Sequence, residues 1–262
     1  IKVLKNGADK IRINPGNIGS FDRVERIIDE AGKLGKTIRI GVNSGSLEKE
    51  ILEKFNHPTA DALAESALNW TEFFLKKNFS QLVVSIKSSD VLENYFANVL
   101  YSEKSDYPLH IGITEAGFLE DGLIKSSAGI GALLMKGIGD TIRVSLTGDP
   151  EQEIEAGRKL LQYLNIRKFS PEIISCPTCG RCQIQLEELV KKVKEDLKEI
   201  QKPYKIAIMG CVVNGPGEAK EADYGIAGGI DEGILFRRGK IIQRLPFLEL
   251  PGALLELIKK ED

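Results

Sequence analysis

The chain has 262 residues, of which 42% are hydrophobic and 28% are charged, which is enough material for one large or two moderate globular domains. Its 36 basic and 38 acidic side chains give a net charge of −2, which argues against binding nucleic acid or an anionic membrane through a basic surface. Its apolar runs are all well short of the roughly 18–20 residues that span a bilayer.

The first residues, Ile1 to Lys5, are expected to form the end of a helix rather than a secretory signal, which favours a cytoplasmic protein. From residue 10 to about residue 166, short β-branched segments alternate with amphipathic helices five times. The predicted strands are Lys10–Asn14, Thr37–Val42, Gln81–Ile86, Leu109–Thr114 and Thr141–Leu146. The predicted helices are Phe21–Leu34, Ala60–Lys77, Ser89–Tyr101, Gly122–Lys136 and Pro150–Leu164. Such alternation indicates parallel strands joined by right-handed crossovers.

These five strand–helix units are too few to close an eight-stranded barrel. We therefore expect residues 1–168 to be the later part of an α/β domain of the (β/α)8 TIM-like type, with three units, of order 90 residues, preceding Ile1. An open doubly wound sheet needs no such missing units and is the alternative.

The alternation stops near Phe169, and residues 169–262 are predicted to form a smaller α+β domain. Its expected elements are a strand at Ile173–Ser175, a charged helix at Leu186–Ile200, a strand at Lys205–Met209, a β-rich stretch from about Ile226 to Arg244, and a helix at Pro251–Lys260.

Polar residues gather at the carboxyl ends of the first five predicted strands, where parallel α/β folds place their chemistry. They are Arg12, Asn14, Arg39, Asn43, Lys87, Glu115, Arg143 and Ser145. Four of the five strands contribute a cation, a pattern that predicts a site for phosphate oxygens. Glu115 is the candidate general acid or base among them. The alternative is that each cation simply pairs with a nearby carboxylate. The small residues at 125–129 are a weaker candidate for phosphate binding through backbone N–H groups.

Three cysteines lie close together at Cys176, Cys179 and Cys182, and a fourth, Cys211, follows in a glycine-rich loop. Such a set indicates metal ligands in a reducing compartment rather than disulfides. The spacing favours an iron–sulfur site over structural zinc, because a zinc ribbon normally supplies a second Cys-x-x-Cys pair. Zinc and redox thiols stay open as alternatives.

Several longer strings resemble the 4-hydroxy-3-methylbut-2-enyl diphosphate synthase family, the iron–sulfur enzymes of the non-mevalonate isoprenoid pathway. They are KIRINPGN, IRIGVNSGSL, SIKSSD, HIGITEAG, IRVSLTGDP, SCPTCGR and GCVVNGPGEAKEADYGIAGG, in matching order from about Gly7 to Gly229.

This resemblance implies a 4Fe–4S cluster held by Cys176, Cys179, Cys211 and Glu218, which leaves Cys182 as one thiol more than the family uses. It implies that the cyclic diphosphate substrate is held by Arg12, Arg39, Asn43, Lys87, Arg143 and Ser145, with Asn214 near the cluster-bound oxygen and Glu115 as proton donor. It further implies electron delivery by ferredoxin or flavodoxin and a homodimer in which one subunit's cluster domain closes its partner's barrel.

Two functions of other classes remain as alternatives to this reading. One is a phosphate-binding barrel with a structural zinc domain and non-redox chemistry. The other is a non-enzymatic iron–sulfur carrier.

Overall fold

The computed structural model describes residues 1–18, 21–212, 217, 219–229 and 231–260. The chain divides into two compact units, Ile1–Arg167 and Lys168–Asp262. In the part of the chain that is described, none of the helices is both long and apolar enough to cross a bilayer.

The first unit contains five parallel strands in chain order. They are β1 (Lys10–Ile13), β2 (Thr37–Asn43), β3 (Leu82–Lys87), β4 (His110–Ile111) and β5 (Thr141–Ile142). Strands β1, β2 and β3 pair in that order, β4 pairs with β5, and a parallel bridge between Val84 and Leu109 joins the two sets. The strand order therefore never reverses, as it would at the switch point of a doubly wound sheet. Sequential order is that of a TIM-like barrel, although the strands within the described residues do not close one.

Eight helices of the first unit lie within the described residues. They are α1 (Lys2–Lys5), α2 (Pro15–Ile18), α3 (Phe21–Lys33), α4 (Lys49–Phe55), α5 (Ala60–Lys76), α6 (Val91–Ser102), α7 (Leu119–Met135) and α8 (Pro150–Tyr163). Thr59, Asp90 and Asp149 cap α5, α6 and α8 by accepting hydrogen bonds from first-turn N–H groups. The sequence had not indicated α2 or α4.

Alternation along the strands separates the core of the first unit from its polar face. On β2, Ile38 and Ile40 are fully buried in the hydrophobic core. Arg39 and Asn43 lie on the opposite face of the same strand. The apolar face packs with helix residues such as Phe74 and Tyr101, so the other face is left for polar chemistry.

Strands β4 and β5 are shorter than the sequence predicted, and the residues that follow them bond outside a regular ladder. Beyond β5, the Leu146 N–H donates to Glu153 Oε1 at 2.8 Å, and the Thr147 N–H donates to the Gly117 carbonyl at 2.9 Å. These bonds turn the chain out of the ladder while keeping residues 143–147 beside the end of β4.

The second unit is a mixed five-stranded sheet in the order β10-β9-β8-β7-β6. Its strands are β6 (Glu172–Ser175), β7 (Lys205–Met209), β8 (Tyr224–Ala227), β9 (Glu232–Arg237) and β10 (Lys240–Pro246). Strands β6, β7 and β8 are parallel neighbours, whereas β9 and β10 pair antiparallel. Helix α9 (Leu186–Asp196) and the C-terminal helix (Leu250–Lys259) supply Leu189, Val193 and Leu254 to a core with Ile206 and Ile208. Helix α9 ends four residues before its predicted end.

Candidate functional site

A cavity of about 270 Å³ opens at the carboxyl ends of the strands in the first unit. Its lining residues are Arg12, Arg39, Asn43, Ser85, Lys87, Thr114, Arg143 and Ser145. We call it the cationic cavity. The structure thus brings together all six barrel residues that the resemblance assigns to substrate binding.

Strand register explains why these side chains meet. Arg12 of β1 pairs directly with Arg39 of β2, and Asn43 of β2 pairs with Lys87 of β3. The Arg143 N–H donates to the Ile111 carbonyl at 3.0 Å, which places Arg143 level with the end of β4. Because side chains alternate along each strand, residues at matched positions project from the same face.

Two glycines make room for the cations. A Cβ atom on Gly41 would lie 2.5 Å from Nε of Arg12, so the guanidinium group lies directly over the bare backbone of β2. A Cβ atom on Gly112 would lie 2.8 Å from Nζ of Lys87 and 2.5 Å from the Arg143 carbonyl oxygen. Side chains at either position would collide with the cationic groups, so the cavity depends on both glycines.

The cations of this cavity are poorly compensated by the protein. Arg143 has a partner, since its Nε lies 3.6 Å from Oε2 of Glu153. Among the described residues, no carboxylate lies within 4 Å of the charged groups of Arg12, Arg39 or Lys87. The alternative that every rim cation pairs with a carboxylate is therefore wrong for these three.

Burial and the neighbouring positive charges shift the pKa of Lys87. Burial, and then the positive charges of Arg39, Arg143 and Arg12, lower the pKa of Lys87 to about 8, against a weaker raising effect of Glu153. Burial and the neighbouring arginines likewise lower the pKa of Arg39. A bound anion with two or more negative charges would relieve this repulsion and accept hydrogen bonds from the guanidinium groups.

Glu115 is not among the residues that line the cationic cavity. Its side chain is exposed, and its backbone takes a left-handed conformation with φ of 52°, which is uncommon for a residue other than glycine. It directly follows Thr114, which does line the cavity. Local strain of this kind often accompanies functional positions, but the acid role of Glu115 stays a prediction.

Ser85 and Thr114 line the cavity although the sequence analysis missed them. Ser85 stands two residues before Lys87 on β3, so strand alternation alone would have placed it on the same face. The segment at 125–129 was a wrong candidate, because it lies inside helix α7, where Gly129 fits closely against Ile113.

In the second unit, the cysteines follow two neighbouring parallel strands. Cys176 comes directly after β6, and Cys211 comes two residues after β7. The Gly210 N–H donates to Sγ of Cys176 at 3.2 Å, a contact of the kind that backbone amides make to ligand sulfurs in iron–sulfur proteins.

Cys182 lies in the same region but makes packing contacts. Its Sγ lies 2.6 Å from the position that a Cβ on Gly210 would take, and it donates a hydrogen bond of 3.4 Å to the Ile184 carbonyl. Cys179 is exposed, and hydrogen bonding to Arg181 lowers its pKa, which favours the thiolate form that binds metal.

The donor set suits an iron–sulfur cluster, since all four cysteines are free thiols and one sulfur already accepts a backbone N–H. Within the described residues, however, no three Cys, His, Asp or Glu side chains converge on a point where they could hold a metal ion. The predicted fourth ligand, Glu218, and the predicted substrate residue Asn214 lie outside the described residues.

Comparison with known proteins identifies the family of the chain. The family model described as the GcpE TIM-barrel domain matches residues 1–158, and the model described as the GcpE protein C-terminal domain matches residues 172–260.

Several curated relatives are named 4-hydroxy-3-methylbut-2-en-1-yl diphosphate synthase (flavodoxin). The one from Sulfurihydrogenibium sp. (strain YO3AOP1) is 54% identical over 259 residues, covering 99% of this chain and 73% of the relative. The one from Aquifex aeolicus (strain VF5) is 52% identical over 259 residues, covering 99% and 72%. The one from Geobacter sulfurreducens is 50% identical over 260 residues, covering 99% and 74%. The chain therefore belongs to the GcpE family.

Proposed function

We propose that the protein is an iron–sulfur oxidoreductase of isoprenoid precursor biosynthesis. It converts 2-C-methyl-D-erythritol 2,4-cyclodiphosphate into 4-hydroxy-3-methylbut-2-enyl diphosphate. The conversion takes up two electrons, opens the cyclic diphosphate and releases a hydroxyl group as water. The observation that carries the proposal is the cationic cavity, in a chain whose relatives bear the name of this enzyme.

The cations bind and orient the diphosphate. Arg12, Arg39 and Lys87 have no carboxylate partner within the described residues, so their charge is available to phosphate oxygens. Arg143 is held from one side by Glu153 and offers its remaining N–H groups to the same anion. Asn43 and Ser145 add neutral hydrogen bonds that fix the position of the ring.

Glu115 is proposed to supply the proton with which the hydroxyl group leaves as water. Its place directly after Thr114 puts it at the rim of the cavity rather than among the cations. A carboxyl group there can exchange its proton with solvent between turnovers.

Cys176, Cys179 and Cys211 are proposed to hold a 4Fe–4S cluster, with Glu218 as the fourth ligand. When bound, such a cluster supplies one-electron transfers and a Lewis-acidic iron for the departing oxygen. Support comes from the free thiols and from the Gly210 N–H on the Cys176 sulfur. The packing contacts of Cys182 favour leaving it outside the ligand set.

Flavodoxin is the electron donor that we propose, because the relatives carry it in their names; ferredoxin is the alternative donor. We also propose a homodimer, so that the cluster of one subunit reaches the cavity of the other, and a cytoplasmic location. The zinc-containing, non-redox alternative finds no support among the relatives.

Two measurements on anaerobically purified protein test the proposal. Visible absorption and paramagnetic resonance after reduction, with iron and sulfide analysis, should show a 4Fe–4S cluster. Titration calorimetry should show binding of the cyclic diphosphate that is lost in Arg39→Ala and kept in Lys49→Ala, a matched exposed cation on α4. A colourless protein containing zinc without sulfide, or equal affinity in both variants, would contradict the proposal.

A further inference from the structure

His110 is a buried histidine beside the cationic cavity, level with the cavity residue Ser85. It is only 8% exposed, and its Nδ1 lies 2.9 Å from Oγ1 of Thr141 on the neighbouring strand. Its other nitrogen, Nε2, is buried and has no hydrogen-bond partner among the described residues. A buried polar atom of this kind normally marks a bound water or a ligand contact.

Strand register places His110 between two layers of cations. Arg12 and Arg39 start from the layer nearer the amino ends of the strands, and Lys87 and Arg143 start from the layer nearer the carboxyl ends. Gly41 pairs with Ser85, and the parallel bridge between Val84 and Leu109 sets His110 beside Ser85 one residue further along. His110 in turn pairs with Thr141. Two residues further along the chain from this layer lie the cavity residues Asn43, Lys87 and Arg143, together with Gly112, which makes room for Lys87.

The ring projects from the cavity face of its strand. Gly112, two residues after His110, faces Nζ of Lys87. Because residues i and i+2 share a face, His110 points to the same side. Ser85, in the layer of His110, is already part of the cavity lining.

A second unpartnered group lies in the same polar face. Nε of Arg39 is buried and has no hydrogen-bond partner among the described residues. Arg39 is also close enough to His110 for its charge to act on the imidazole. Nε of Arg39 always carries a hydrogen and is a donor. Nε2 of His110 is an acceptor when Nδ1 carries the ring's proton and donates a hydrogen bond to Oγ1 of Thr141.

The surroundings favour that tautomer. Burial, and then the charges of Lys87, Arg39, Lys10 and Arg143, lower the pKa of His110 to about 3, so the ring is neutral at neutral pH. Because positive charges surround the ring, a lone pair on Nε2 is electrostatically favoured over an N–H group there.

We propose that His110 is a positioning residue of the substrate site, whose Nε2 accepts a hydrogen bond from a water molecule that is shared with Nε of Arg39. This water fixes the guanidinium plane of Arg39 toward the bound diphosphate, and the neutral ring adds no further positive charge among the cations. The inference rests on the proposed function of the cationic cavity.

Two substitutions at His110 separate the roles of its nitrogens. The amide of His110→Gln reaches the region of Nε2, whereas that of His110→Asn reaches only the region of Nδ1. We expect inorganic pyrophosphate, measured by titration calorimetry, to bind His110→Asn roughly tenfold more weakly than the wild type, and His110→Gln within roughly threefold of it. In turnover with the cyclic diphosphate, the loss in His110→Asn should lie in KM rather than in kcat.

The reverse order, with Asn retaining affinity and Gln losing it, would show that only the bond to Thr141 matters and would overturn the inference while leaving the proposed function intact. A wild-type protein that binds neither pyrophosphate nor the cyclic diphosphate would overturn both.

Nitrogen NMR gives a readout that does not depend on activity. The chain has two histidines, and exposed His57 serves as the internal control. We expect His110 to keep a protonated Nδ1 and a bare Nε2 between about pH 5 and pH 8, with the Nε2 resonance shifting when pyrophosphate is added and the His57 resonances unaffected by pyrophosphate. Protonation of Nε2 of His110 within that pH range, or an Nε2 resonance unmoved by saturating pyrophosphate, would contradict the inference.

Discussion

Replacing Lys87 with methionine removes one cation from the cavity while keeping most of the volume of the side chain. In the wild type, burial and the nearby arginines lower the pKa of Lys87 from 10.5 to about 8. That difference corresponds to about 3 kcal/mol of destabilisation of the charged form in the folded protein. Because Lys87 is only partly buried, screening by water reduces this figure, and we expect an effect of about 1–3 kcal/mol.

The pH dependence follows from the direction of the shift. Below about pH 8, Lys87 is charged in both the folded and the unfolded chain, so the folded state bears the whole penalty. Between about 8 and 10.5, the folded chain binds fewer protons than the unfolded chain, and the stability of the wild type rises with pH. Lys87→Met should therefore be more stable than the wild type at about pH 7, with the advantage shrinking toward about pH 10.

Urea unfolding followed by fluorescence measures this effect in the first unit. The chain has a single tryptophan, Trp70, which lies on α5 and packs against Phe21 and Phe73. Lys49→Met, an exposed cation on α4, is the matched control and should behave like the wild type at both pH values. A Lys87→Met variant that is no more stable than the wild type at about pH 7 would refute the view that the cavity holds uncompensated charge.

The same variant should bind pyrophosphate at least tenfold more weakly, because it lacks one phosphate-binding cation.

Four further substitutions test the assigned roles. Glu115→Gln should keep both the brown colour and pyrophosphate affinity while turnover falls by roughly 10²-fold, as expected for loss of a general acid. Cys211→Ser should abolish the cluster absorbance, and Cys182→Ser should retain it, because the Cys182 sulfur packs against Gly210 and donates a hydrogen bond to the Ile184 carbonyl. Arg143→Ala should raise the dissociation constant of pyrophosphate by roughly tenfold, since it removes a charge-assisted contact with the anion.

Each assigned role would be contradicted by a specific result. Normal turnover in Glu115→Gln would remove its role as the acid. A cluster that survives Cys211→Ser but not Cys182→Ser would reverse the ligand choice. Unchanged affinity in Arg143→Ala would mean that the ion pair with Glu153 is the whole function of that arginine.

Strand positions and cation placement could be predicted from the sequence because both depend on local pattern. Short β-branched segments mark β1 to β3, and a basic residue near the end of a parallel strand necessarily faces either the core or the cavity. Arg12, Arg39 and Lys87 were found in this way, and the structure places all three in one cavity.

Other features depend on partners that are distant in the sequence. Strand β5 was predicted to reach Leu146 but ends at Ile142, and the N–H of Leu146 donates to Glu153, a side chain on α8. No local pattern predicts that bond. Ser85 was missed although strand alternation places it on the face of Lys87, because the search for anion ligands was directed at charged residues near the strand ends. The sequence alone could not show that position 112 requires glycine, because the reason is the close approach of Lys87 from the adjacent strand.

Single turnover of the cyclic diphosphate shows whether this protein carries out the proposed reaction. Anaerobically purified protein, reduced with flavodoxin or ferredoxin, is mixed with 2-C-methyl-D-erythritol 2,4-cyclodiphosphate and followed by phosphorus NMR. We expect the resonances of the linear product to replace those of the cyclic diphosphate, and Arg39→Ala to slow this conversion at low substrate concentration. Cyclic diphosphate that remains unchanged beside a fully reduced, cluster-containing protein would refute the proposed function.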